Sequence, residues 1–178
     1  MKKLFAVLLV VLLVPAFALA QEVEPTIIKV NDTLDISVVL PDGYAMTETW
    51  YGDVLYAQMD PQSEDQPLMV LSLGYSEEYA DRSIGDLSEE EMDALIAISI
   101  TDFANPTYDI AETSEGTKLI VVDENSEYDE YAEIYTVYQG YFIGMLVEAV
   151  GGEQLTEDNL NVAIQFLSDM QFVHAPEA

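Results

Sequence analysis

One acidic segment has residue types and spacing that could bind calcium. It contains Asp123, Glu127 and Asp129, and the first two occupy positions that supply oxygen ligands in an EF-hand loop. Such a loop requires glycine at its sixth position and glutamate at its twelfth, where this chain has Tyr128 and Ile134. The pattern therefore predicts either a low-affinity surface site formed by Asp123, Glu127 and Asp129 or a solvated hairpin loop, and we favour the loop.

Aromatic residues provide a second candidate site. Tyr131 and Tyr135 lie on one face of a predicted strand because side chains alternate along a strand, and Trp50 lies near the end of another strand. Such rings could stack on sugars or hold a peptide. Tyrosine is also a good strand former that buries its ring, so core packing is the favoured interpretation. If a ligand or partner surface exists, Tyr131, Tyr135 and Trp50 are the residues predicted to form it.

Catalytic residue types are scarce in this chain. It has one histidine, His174, and no cysteine. The chain therefore lacks most of the side chains that transition-metal sites and Ser–His or Cys–His catalysis require. Paired carboxylates could hydrolyse a glycoside, but 34 acidic residues will always place some pair at a suitable separation. We predict no enzymatic activity and no cofactor, with a paired-carboxylate hydrolase as an alternative.

The N-terminus predicts export. Lys2 and Lys3 precede an unbroken apolar run over residues 4–14, and residues 18–20 read Ala-Leu-Ala. This is the pattern of a cleaved signal peptide, and the apolar run is short for a membrane span. We expect cleavage after Ala20 and a secreted or periplasmic protein without membrane attachment. An uncleaved membrane anchor is the alternative.

The charge is strongly negative. The chain has 34 acidic and five basic residues and a formal net charge of −29, and two of the bases lie in the predicted signal peptide. Such a surface repels nucleic acid, which is therefore not expected as a partner. Because 50% of the residues are hydrophobic, the chain predicts a packed core under an acidic coat. The coat serves solubility or salt adaptation, or it binds cations such as calcium at low affinity.

The elements that would position these residues are mostly strands. Ser88 and Glu91 form a capping box before a helix predicted to end at Asn105-Pro106, and Thr156 caps a second helix. Gln139-Gly140 predicts a hairpin turn. Strands are predicted at residues 26–30, 34–40, 45–51, 54–59, 68–73, 108–112, 118–122, 130–138 and 141–150, with a short edge strand at 172–173.

Several predicted strands are apolar on both faces, which indicates a sheet covered on both sides. The fold class is therefore predicted as α+β, with a central, mostly antiparallel sheet flanked by helices. The domain boundaries follow from the same pattern. Residues 1–20 are the signal peptide, 21–30 a leader with a first strand, 31–174 a single domain and 175–178 a tail.

Three segments resemble the PsbP-like domain family. The segment LDISVVLPDGY resembles the opening strand and turn of such domains, YTVYQGYFIGMLVEA their late hairpin, and NLNVAIQFLSDMQF their closing helix and tail. The similarity covers residues 31–173, although the aromatic residue after the turn is often tryptophan in such domains and is Tyr44 here. The resemblance implies an α/β/α sandwich and a non-catalytic role in binding or assembly, and it transfers no functional residue.

The leading functional hypothesis is an exported, non-enzymatic module that binds a protein or a cell-envelope component. The first alternative is an acidic surface protein that binds divalent cations or polycations at low affinity. The second is the paired-carboxylate hydrolase. The export signal and the scarcity of catalytic residue types favour the first hypothesis.

Repulsion within the acidic coat makes a prediction about salt. Salt shortens the Debye length from about 30 Å at 0.01 M to about 8 Å at 0.15 M, so sodium chloride should raise the melting temperature at pH 7, most steeply at low concentration. Thermal melts in sodium chloride and in calcium chloride at matched ionic strength measure the effect. A greater rise in calcium indicates that the coat binds cations. A flat response to sodium chloride would contradict the repulsion.

Overall fold

The computed structural model describes residues 24–32, 34–101, 103–113, 116–124, 131–152 and 154–174. The predicted signal peptide, residues 21–23 of the leader and the tail therefore lie outside the described residues. The described strands and α-helices are β1 (Thr26–Lys29), β2 (Leu34–Val38), β3 (Tyr44–Tyr51), β4 (Val54–Pro61), β5 (Leu68–Tyr75), α1 (Glu89–Ser99), β6 (Pro106–Glu112), β7 (Lys118–Glu124), β8 (Tyr131–Tyr138), β9 (Tyr141–Glu148), α2 (Glu157–Asp169) and β10 (Gln171–His174).

Seven strands form one large sheet in the order β3-β4-β5-β9-β8-β7-β6. Every pairing in it is antiparallel, and β9 lies beside β5 with Leu71 opposite Met145. The chain leaves β5, passes through α1 to the far edge at β6, and returns strand by strand to the centre. The prediction of a central, mostly antiparallel sheet is confirmed.

Three short strands form a second, separate sheet in the order β1-β2-β10. Ile28 and Phe172 both lie opposite Ile36, so the strand after α2 returns to pair with the beginning of the domain. The predicted short edge strand at residues 172–173 is therefore confirmed as part of β10. The small sheet itself was not predicted, because the pairing of β2 with β10 joins residues more than 100 positions apart.

One face of the large sheet packs against both α2 and the small sheet, and we call this layer the α2 core. Its residues come from most of the chain, and they include Ile28, Ile36 and Val38 of the small sheet, Leu55, Met59, Met69, Leu71, Leu73, Leu119, Ile134, Ile143, Met145 and Val147 of the large sheet, and Ala163, Phe166 and Leu167 of α2. All of them are buried. Burial of this much apolar surface is the main stabilising contribution to the fold.

The opposite face of the large sheet packs against α1, and we call this layer the α1 core. Side chains alternate between the two layers along β7, since Leu119 lies in the α2 core and Ile120 in the α1 core. The buried residues of the α1 core are Tyr79, Ile84, Leu95, Ile96, Phe103, Ile120, Val122 and Val137.

The α1 core covers only part of its face. Leu68 and Val70 on β5 are half-buried, and Tyr56 on β4 is exposed beside them. The eleven residues of α1 form a helix about 16 Å long, whereas the seven paired strands form a sheet roughly 29 Å wide. Among the described residues, none from β3, β4 or β5 belongs to the α1 core, so α1 leaves that part of the face uncovered. On the other face, α2 shares the covering layer with the small sheet. The sheet is therefore not covered evenly by helices on both sides, as the apolar strands had led us to expect.

Two predicted turns are confirmed. Tyr138 lies opposite Tyr141 across Gln139 and Gly140, whose φ angles of 47° and 86° are typical of a type I′ hairpin. Glu130, predicted to begin this hairpin, lies outside the described residues. At the Pro41-Asp42-Gly43 turn, Gly43 has a φ of 85°, which lets Tyr44 N donate to Pro41 O at 3.3 Å.

The capping boxes of both helices are also confirmed, at Ser88 for α1 and Thr156 for α2. However, α1 ends at Ser99 rather than at the predicted Asn105-Pro106. The Ser99 hydroxyl donates to Leu95 O and the Thr101 hydroxyl to Ala97 O, both at 3.0 Å. These bonds satisfy carbonyls of the last turn, which lets the chain leave the helix early.

Glu91 connects the cap of α1 to the preceding loop. Its carboxylate accepts hydrogen bonds from the Ser88 backbone N–H at 2.9 Å and from the Arg82 guanidinium at 2.7 Å. Together with a bond from the Ser88 hydroxyl, these lower the pKa of Glu91 from 4.5 to about 2. A carboxylate with a lowered pKa stabilises the fold above its unfolded pKa and loses this contribution as the pH falls.

Glu91→Gln should therefore melt at a lower temperature than the wild type at pH 7, and the difference should shrink as the pH falls from 4.5 towards 2. Thermal melts across this range measure it. Glu90→Gln, on the exposed side of the same turn, removes the same charge and is the matched control. An equal melting temperature for the two variants at pH 7 would contradict the role of Glu91.

Candidate functional site

The predicted calcium ligands do not form a group among the described residues. Asp123 lies on β7, where its carboxylate accepts a hydrogen bond from the Thr107 hydroxyl on β6. Glu127 and Asp129 lie outside the described residues. Within the part of the chain that is described, no three acidic, histidine or cysteine side chains lie close enough together to hold a metal ion.

Two of the predicted aromatic residues lie in the α1 core. The ring of Tyr131 stacks on Phe103 at a centroid distance of 5.2 Å, and that of Tyr135 packs against Phe142 at 5.5 Å. Tyr135 also lies over Gly144, where an added Cβ would come within 3.5 Å of its ring. The rings of Tyr131 and Tyr135 thus contact the protein's own side chains.

Trp50 lies on the other side of the large sheet. It pairs with Leu55, so its side chain projects from the face that carries the α2 core, where 44% of its surface is exposed. The structure therefore separates Trp50 from Tyr131 and Tyr135. Trp50 instead borders a cleft at the end of the large sheet.

This cleft, which we call the Trp50 cleft, has a volume of about 460 Å³. It lies where β3 and β5 end and where β4 and β9 begin, beside the turn that joins β1 to β2. Its lining residues are Val30, Asn31, Trp50, Gly52, Asp53, Leu73, Tyr75 and Tyr141. A volume of this size falls within the range of about 300–1,000 Å³ that is usual for small-molecule sites.

A tight hairpin positions Trp50 and Asp53. Tyr51 pairs with Val54, and the two residues between them form the turn. Gly52 has a φ of 62°, the sign required at the first central position of a type II′ turn, so a glycine is favoured there. The turn places Trp50 and Asp53 on the border of one cleft.

Two tyrosines form another wall of the cleft. Tyr75 and Tyr141 are direct partners on β5 and β9, and their rings meet edge to face at 5.4 Å and 69°. Asn31 donates a hydrogen bond to the Tyr141 hydroxyl at 2.7 Å. Gly140 lies against Tyr75, because a Cβ at Gly140 would come within 2.8 Å of that ring. These contacts hold both rings in place, while 54% of Tyr75 stays exposed.

The cleft combines aromatic surface with a negative charge. Three aromatic side chains border it, Asp53 supplies a carboxylate, and no basic side chain is among its described lining residues. Aromatic faces carry partial negative charge, so they and Asp53 favour ligands with positive charge over ligands with negative charge.

Two other clefts offer less accessible aromatic surface. One, of about 390 Å³, lies between the β4–β5 loop and α2, where Asn159 donates to Asp65 O at 3.3 Å, and its described lining contains no aromatic residue. The other, of about 340 Å³, lies beside β10, where the rings of Tyr138 and Phe172 stack on each other at 4.0 Å. The Trp50 cleft is therefore the better candidate.

Sequence reasoning selected Trp50 but missed Asn31, Asp53, Tyr75 and Tyr141. Asp53 could have been found, because it lies in the short gap between the strands predicted at residues 45–51 and 54–59. Tyr75 and Tyr141 are 66 positions apart and meet only through the register of β5 and β9. No local pattern reveals that register.

No protein-family model and no curated protein matches this chain. Within the described residues, no helix combines the length and the apolar composition needed to cross a membrane. The geometry of the cleft is therefore the basis for inferring function.

Truncation of the aromatic residues should separate packing from binding roles. Tyr135→Ala should lower the free energy of unfolding by about 2–3 kcal/mol, because it leaves a cavity in the α1 core. Trp50→Ala should lower it by less than about 1 kcal/mol, because nearly half of that side chain is in solvent. Urea unfolding of the two variants measures both values. A loss for Trp50→Ala as large as that for Tyr135→Ala would show that Trp50 is a core residue.

Proposed function

We propose that this chain is an exported, non-enzymatic binding module and that the Trp50 cleft is its ligand site. The observation that carries the proposal is the grouping of Trp50, Tyr75 and Tyr141 around one cleft with much of Trp50 and Tyr75 in solvent. Large aromatic side chains contribute most when their faces are buried by a partner, and aromatic residues are enriched where proteins bind ligands.

The residue types around the cleft support binding over catalysis. Its described lining has one carboxylate, that of Asp53, whereas a glycosidase of the common type needs two. Neither histidine nor serine is among these lining residues, so a nucleophile with an adjacent base is not available there.

The proposed partner is a protein or a component of the cell envelope. The predicted signal peptide would deliver the module to the envelope or beyond it. The resemblance to PsbP-like domains supports the same role, since it implies an α/β/α sandwich used for binding or assembly. α1 and α2 pack on opposite faces of the large sheet, as such a sandwich requires.

A second candidate function is low-affinity binding of divalent cations or polycations by the acidic surface. The net charge of −29 favours it, because carboxylates that lack basic partners attract counterions. The comparison of sodium and calcium in thermal melts distinguishes this function from the first.

Capture from an envelope extract of the native organism tests the proposal. The immobilised protein should retain a component that mass spectrometry identifies, and Trp50→Ala should lose it. Tyr108→Ala is the matched control, because Tyr108 on β6 is 52% exposed and lies away from the cleft. Equal retention by Trp50→Ala and the wild type would show that the cleft is not the site, and repeated retention of nothing would count against a binding module.

A further inference from the structure

Resting on the proposed function, we infer that the Trp50 cleft recognises its ligand through a small organic cation, specifically a trimethylammonium group. The inference comes from the combination of three aromatic side chains, one carboxylate and a strongly negative protein around a single cleft. Aromatic rings placed around a cation in this way are the usual recognition device for quaternary ammonium groups.

The cleft between the aromatic residues has room for a cation. Trp50 lies level with Leu73 across β4, and Tyr75 lies two residues beyond Leu73 on β5, so the backbones of Trp50 and Tyr75 are roughly 12 Å apart. Both residues border the same cleft, whose volume of about 460 Å³ has room for a trimethylammonium group between them. Tyr141, held by Asn31, adds a third ring beside Tyr75.

The charges around the cleft favour the same ligand. Asp53 is the charged residue among the described lining residues, and the whole chain carries a net charge of −29. The field of the protein raises the local concentration of cations and lowers that of anions. Phosphorylated and carboxylated ligands are therefore disfavoured at this cleft.

Metal ions fit the cleft poorly. Calcium requires six to eight oxygen ligands, and the described lining side chains offer the Asp53 carboxylate, the Asn31 amide and two tyrosine hydroxyls. The Tyr141 hydroxyl already accepts the hydrogen bond from Asn31. A trimethylammonium group has no N–H and therefore needs no hydrogen-bond acceptor. Its methyl groups present an apolar surface that can pack on the aromatic ring faces and on Leu73.

The fluorescence of Trp50 gives a direct test, since it is the single tryptophan of the chain and lies in the cleft. Choline should change its emission in a saturable way. The uncharged carbon isostere of choline, 3,3-dimethyl-1-butanol, should bind at least about tenfold more weakly, because it lacks the charge that the rings and Asp53 attract. Tetramethylammonium chloride should act like choline, and sodium chloride at equal ionic strength should not.

Two variants retain the fluorescent reporter and test the site. Tyr75→Leu should weaken choline binding by about tenfold, because it removes one ring face. Tyr108→Leu removes a tyrosine of similar exposure on β6 and should leave choline binding unchanged. Circular dichroism establishes that both variants are folded, and a binding loss shared by both would contradict the assignment.

Vesicles of phosphatidylcholine separate a lipid head group from a free solute. Sedimentation with them that choline competes away would place the group on a lipid of the envelope, and sedimentation that choline leaves unchanged would contradict binding through the cleft. Equal responses to choline and its isostere, or to the tetramethylammonium and sodium salts, would overturn the inference itself. The proposed function survives that failure if capture from envelope extract still depends on Trp50, and it fails separately if that capture does not.

Discussion

Apolar contact in the α2 core holds the two ends of the domain against the middle of the large sheet. Ile28 and Ile36 near the beginning and Phe166 near the end pack on the same face, while β10 pairs with β2. Electrostatic attraction cannot replace this contact, because five basic residues face 34 acidic ones. The chain has no cysteine and hence no disulfide. The position of every other element, including the turn between β1 and β2, therefore depends on apolar packing.

The Trp50 cleft lies where the α2 core ends. Leu55 and Leu73 are buried, and the next residues on the same face, Trp50 opposite Leu55 and Tyr75 beyond Leu73, are largely exposed. The small sheet stops at the same level, so Val30 and Asn31 border the cleft instead of filling it. Rings that continue a core but lack a covering layer present apolar faces to solvent. The acidic coat around them adds a preference for cations, and fold and charge together define the site.

Local signals in the sequence predicted the elements well, and distant pairings explain what was missed. The cap at Ser88, the turn at Gly140 and the strands around them depend on neighbouring residues, and these predictions are confirmed. The separate small sheet and the pairing of Tyr75 with Tyr141 depend on register between segments far apart, which periodicity does not encode. For the same reason the sequence predicted Trp50 as a site residue but did not predict the other residues that line the cleft.

The most direct test of a cation site in the Trp50 cleft is a ¹H–¹⁵N NMR titration with tetramethylammonium chloride, compared with sodium chloride at equal ionic strength. We expect the indole N–H of Trp50 and the backbone N–H groups of Tyr75 and Tyr141 to shift saturably with the organic salt alone. Those of Tyr108 and Ile110 on β6 should stay unchanged relative to the sodium titration. Identical shifts in both salts, or organic-cation shifts spread over the whole acidic surface, would contradict the assignment.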